Sequence, residues 1–123
     1  MAERIIASAM IFLGVVCGIS GVGYSQDIWE TFQIIDGYRH SKEEFKSVMY
    51  KIQKCHPQYT YEEIGNFIIL AYRKIKEYNP NVSIYKVACE LRRFSRDDLG
   101  IDFPDLVKGY ITASIAKVNK YSL

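Results

Sequence analysis

Charge of one sign is what this sequence has least of. Sixteen lysines and arginines stand against fourteen aspartates and glutamates, a net charge of +2 over 123 residues. The two signs are interspersed, so there is no basic stripe to track a phosphate backbone, and nucleic acid is not an expected partner. Proline occurs three times, at positions 57, 80 and 104, leaving long stretches free to be helical. The glycines form no phosphate-binding loop, and no serine stands in a G-x-S-x-G setting. Histidine occurs only as His40 and His56. Cys55-His56 with Cys89 gives adjacent candidate ligands without a second C-x-x-C or H-x-x-x-H pair, a poor match to zinc spacing. No catalytic, cofactor-binding or metal-ligating residue is therefore assigned, no cofactor is expected, and the chain is read as no enzyme.

Strand signals are missing as well, because no stretch alternates apolar and polar residues. With 49% hydrophobic and 24% charged residues the composition is that of a globular chain, and the length allows one domain. The expected fold is all-α: a small antiparallel bundle of four to five helices after an N-terminal apolar segment.

That segment sets the expected address. Ile5–Gly23 is 19 residues without a charge, preceded by Arg4. Gly23-Tyr24-Ser25 then places small residues at −3 and −1, the layout of a signal peptide over residues 1–25 cleaved before Gln26. The alternative is an uncleaved membrane anchor, since 19 apolar residues can just span a bilayer. Gly14 and Gly18 form a GxxxG pair suited to helix association in membranes, whereas the glycines at 14, 18, 21 and 23 shorten the apolar core toward signal-peptide length. A lipid-modified Cys17 is disfavoured by Val16 before it. Asp27 and Glu30 follow the run, so either reading puts residues 26–123 on the non-cytoplasmic side, as an exported (periplasmic or extracellular) or membrane-anchored domain.

Within the domain, Thr60–Pro80 is the stretch around which the rest is organised. Thr60 and Glu63 form a capping box, with Tyr59 and Ile64 placed as a hydrophobic staple. Ile64, Phe67, Ile68, Ala71, Tyr72 and Ile75 recur at helical spacing, and Phe67 and Ile68 are expected to be buried. Asn79-Pro80 ends the helix. Before it, Asp27–Asp36 reads as a short helix stopped by Gly37, and Ser41–Lys54 as a helix opened by a Ser41–Glu44 capping box, with Phe45, Val48, Met49 and Ile52 on its inner face. His40, next to that cap, is expected in solvent. After it, Ser83 caps a helix running to about Phe94, striped by Ile84, Val87, Ala88 and Leu91. A charged loop from Ser95 to Asp102 follows, and Pro104 opens the last helix, with Asp105 at the positive end of its dipole.

Cys55 and Cys89 remain as an even pair after removal of Cys17, which suggests a disulfide in an exported domain. Closing that 34-residue span would stabilise by about 3.5–4 kcal/mol. The order of the helices argues the other way, by setting the two thiols at different heights along the bundle. In layout the chain resembles the exported immunity proteins of type VI secretion systems: a signal peptide, about a hundred helical residues, and Cys55-His56-Pro57 shortly before the Thr60 cap. The resemblance implies a non-enzymatic inhibitor of another protein. That family's upstream phenylalanine-cysteine-glycine-tyrosine run and its second cysteine near the C-terminus have no counterpart here.

Three functions are open on these residues. The first is an exported interaction protein, a bundle binding another macromolecule as an inhibitor, immunity factor or accessory subunit; a protein partner is expected, of a kind the sequence does not specify. The second is a membrane-tethered structural subunit of a larger complex. The third is a carrier of a small apolar ligand between the helices. Candidate partner contacts are Arg93 and Arg96, in the segment Arg92–Phe103 that also holds Leu99 and Ile101, and Trp29 on the first helix. The bland alternatives are local ion pairs for the arginines, capping of the two ends of the core for Phe94 and Phe103, and packing at the core's edge for Trp29.

Overall fold

A computed structural model describes residues 27–121. The apolar run, its Gly23-Tyr24-Ser25 site and Cys17 lie outside them. Among the described residues there are five helices and no strand: α1 (Ile28–Asp36), α2 (Lys42–Cys55), α3 (Tyr61–Lys76), α4 (Ile84–Asp97) and α5 (Phe103–Tyr121). The small all-α bundle read from the sequence is what the chain forms.

The caps explain where the helices begin. Asp27 Oδ1 accepts from the Glu30 amide at 2.8 Å. Both capping boxes close: Ser41 Oγ and Thr60 Oγ1 each accept from the amide three residues on, and the Glu44 and Glu63 carboxylates accept in return from the cap amides. These bonds hold the Glu44 carboxyl below its ordinary value, the cap's backbone amide being the largest cause. Ser83 Oγ accepts from Lys86 N. Gly37 ends α1 in the left-handed conformation at φ 68°, where a side chain would be strained. Tyr38 follows at φ 59°, and its amide donates back to the Gln33 carbonyl at 2.8 Å.

Consecutive helices run antiparallel, so α2 and α4 become parallel neighbours, and so do α3 and α5. The ring of Tyr85 at the start of α4 meets Phe45 at the start of α2. His56, just past the end of α2, bonds Ser95 in the last turn of α4. Phe32, Phe45, Met49, Ile52, Ile64, Ile68, Ala88, Leu91 and Phe103 form the fully buried centre. The first helix lies against α2, α3 and α4. Phe32 stacks on Phe45 with centroids 5.2 Å apart. Gly65 lets α1 approach α3 closely: a Cβ there would come within 2.5 Å of Ile28 Cγ1 and 3.3 Å of Phe32 Cζ.

Four details depart from expectation. Ile68 is buried as expected, but Phe67 is only half-buried, because its position faces the α2–α3 link and the rings of Tyr59 and Phe103. His40 is only partly solvated: it stacks on Tyr85 at 3.7 Å, and its Nδ1 lies 3.1 Å from the buried Asp36 carboxylate. The fourth helix continues to Asp97, so Ser95, Arg96 and Asp97 are helical and the loop is correspondingly shorter. The last helix starts at Phe103, which puts Pro104 second.

Candidate interaction surface

The fold gathers chemically distinctive residues at one end of the bundle. There α1 begins, α2 gives way to α3, and α4 turns into α5. The turn is built by backbone geometry: Asp98 closes α4 with its amide on the Phe94 carbonyl at 2.8 Å, and Gly100 at φ 100° reverses the chain. Asp102 then fixes the turn to the neighbouring link. Its carboxylate accepts from Tyr59 Oη at 2.9 Å and from Gln58 Nε2 at 3.1 Å. Burial, and then the bond to Asp102, push the Tyr59 phenol up to about 12.

Below this surface His56 Nε2 lies 3.0 Å from Ser95 Oγ, with the Phe103 ring 5.0 Å away. His56 is 3% exposed and Ser95 0%. A serine paired with a histidine suggests nucleophilic chemistry, but a fully buried hydroxyl cannot meet a substrate. The pair is a bond within the core joining the α2–α3 link to α4. Burial depresses the imidazole, and the nearby Asp102 charge only partly opposes that. Sequence reasoning gave the pair no role, because its members lie 39 positions apart and carry no local pattern.

What remains exposed is the turn itself. Leu99 is 72% exposed and Ile101 45%. Beside them opens a cleft of about 270 Å³ lined by Phe94, Ile101, Leu106, Tyr110 and Ala113, with Asp98 and Asp105 at its rim. Of the candidate contacts, Arg93 and Arg96 are exposed on the last turns of α4. Arg93 lies over the Phe94 ring, 4.8 Å from its centroid, and Arg96 Nε pairs with Asp97 Oδ1 at 3.0 Å. Phe103, at the end of the same segment, is wholly in the core, in line with its alternative reading as a cap on the core. Arg92 turns partly inward, and its Nε is buried without a hydrogen-bond partner.

Trp29 is half-buried at the same end, its ring 5.7 Å from that of Tyr61 and under the Lys46 ammonium. It is neither a bare anchor nor a core residue. The structure thus places Trp29 and the two arginines on one end of the molecule without bringing them into mutual contact.

Cys55 and Cys89 are both free in this structure, so the bridge left open from the sequence is not formed in it. Cys55 precedes His56, which faces Ser95, whereas Cys89 is six positions earlier on α4, about 9 Å along its axis. A disulfide requires Cα atoms within about 7 Å. Among the described residues no group of three or more histidine, cysteine or acidic side chains is placed to hold a metal ion, and no helix is long and apolar enough to cross a membrane. A second cleft, about 430 Å³, opens at the other end between α3, α4 and α5, rimmed by Asn79, Asn81, Lys86, Glu90 and Lys117. In it burial and the hydrogen bond to Glu90 push the Tyr110 phenol up. No family model, curated protein or solved structure matches this chain.

Proposed function

We propose that this chain is an exported, non-enzymatic interaction module whose contact surface is the α4–α5 turn. The observation that carries the reading is the exposure of Leu99 and Ile101 beside an apolar cleft, on a turn that Asp102 ties to the α2–α3 link. Exposed apolar side chains on a fixed turn are available to a partner at little ordering cost. Arg93 and Arg96 flank them, and arginine is enriched among residues that dominate interfaces. The partner fitted by this mixture is a protein surface with an apolar projection.

The test begins with a partner captured from the native host by the full domain. Replacing both Arg93 and Arg96 with alanine is expected to weaken that complex by at least about 1 kcal/mol, roughly fivefold, at unchanged melting temperature. Unchanged affinity would remove the turn from the interface. The membrane-tethered subunit is the second reading. One observation favours it: α1, through which the chain connects to the apolar run, begins at the same end as the exposed turn.

A further inference from the structure

We propose that, in the chain that keeps residues Ile5–Gly23, the end of the bundle bearing Leu99, Ile101 and Trp29 rests on the bilayer surface. This rests on the tethered reading above, in which the turn meets the bilayer in place of a protein partner. A connected set of contacts fixes which end it is. Asp27 caps α1, and Trp29 in the first turn packs on Tyr61 in the first turn of α3. Tyr59, two residues before Tyr61, holds Asp102 at 2.9 Å, and Asp102 directly follows Ile101. The start of α1 and the exposed turn therefore share one end.

Chain length then limits the distance to the membrane. Only Tyr24, Ser25 and Gln26 separate Gly23 from Asp27. Even fully extended, the step from Gly23 to Asp27 spans about 14 Å. If the run crosses a bilayer, the end that carries Asp27 cannot stand further from the interface than this, whatever the bundle's tilt. The composition of that end suits the position. Leu99 and Ile101 project from it, and the half-buried Trp29, Tyr59 and Tyr61 are aromatic rings of the kind that favours the membrane–water boundary. Arg96 is already paired with Asp97, and Asp98 and Asp105 rim the cleft. The contact is accordingly apolar insertion, and does not depend on anionic lipid.

Fluorescence quenching by brominated lipid tests this on the full chain reconstituted in zwitterionic phosphatidylcholine vesicles. Trp29, the only tryptophan, stays in every variant, and its own quenching, measured in the wild type, is subtracted. Leu99→Trp adds a reporter on the turn. Tyr78→Trp adds one beyond the other end of α3, a helix of 16 residues and so about 24 Å long. Both sites are exposed, so the fold tolerates either change. The expected result is strong quenching of the emission added by Leu99→Trp and none of that added by Tyr78→Trp, with no change when anionic lipid is included. Equal quenching of the two, or none at Leu99→Trp with the chain still in the vesicles, overturns the proposal. So does intact-mass measurement showing that the native host's protein begins at Gln26. That last outcome leaves the interaction reading standing, because the arginine variants test it separately.

Discussion

The residue that reports most about this fold is His56. It sits at a helix link, where a histidine is normally wet, yet it is buried against Phe103 and bonded to Ser95. Its folded pKa is depressed below the ordinary value of about 6.5 because burial penalises the imidazolium. Above that value both folded and unfolded chains carry a neutral ring, and the full stability is present. As pH falls below it, the unfolded chain takes up a proton that the folded chain resists, so stability is lost down to the depressed folded pKa. Melting temperature is therefore expected to fall between pH 7 and pH 5. In His56→Gln, which keeps a polar group near Ser95 but cannot titrate, the fall should be shallower. Parallel pH profiles of wild type and variant, followed by circular dichroism, would show this; superimposable slopes would mean that the imidazole charges without penalty.

At the scale of elements, the helices were largely legible because the determinants of helix ends are local. Ser41 with Glu44 and Thr60 with Glu63 lie three residues apart, and Gly37 acts on its own backbone; a linear reading sees all of these. What it could not see was pairing across elements. Nothing between Phe94 and Asp97 breaks a helix, but the extension of α4 is secured by the bond of Ser95 to a histidine in another link. His40 looked solvated because its stacking partner, Tyr85, lies on α4. The candidate contacts were half-legible for the same reason. Arg93 and Arg96 are as exposed as their charge suggested, whereas Phe103, read from sequence as part of the same segment, is core.

Gly65 is a sharper case at this scale. Glycine inside α3 looks like a defect, since alanine would favour the helix by about 1 kcal/mol. The structure gives it a use, because α1 packs where the side chain would be. Gly65→Ala is expected to destabilise by about 1–3 kcal/mol, overpacking outweighing propensity. Urea denaturation of the variant decides it, and a raised midpoint would mean that Ile28 moves aside at little cost.

For the molecule as a whole, the question is whether α1 belongs to the same cooperative unit as the other four helices. Nine residues are too few to form a stable helix alone. Its persistence must come from tertiary packing, and Phe32, fully buried and stacked on Phe45, is its largest contribution to the core. Truncating such a phenylalanine costs about 3–5 kcal/mol, set against the roughly 5–15 kcal/mol that holds a domain of this kind folded. Phe32→Ala should therefore lower the melting temperature by at least about 10 °C. The manner of unfolding matters more than the size of the loss. Trp29 lies on α1 and reports its docking, while the far-ultraviolet signal is dominated by α2 to α5. If α1 is integral, the two probes should melt together in wild type and in Phe32→Ala alike. If Trp29 emission changes first, α1 is a hinged attachment. Its direction would then no longer fix which end of the bundle faces a membrane, and the case for placing Leu99 and Ile101 at the bilayer would lose its geometric basis.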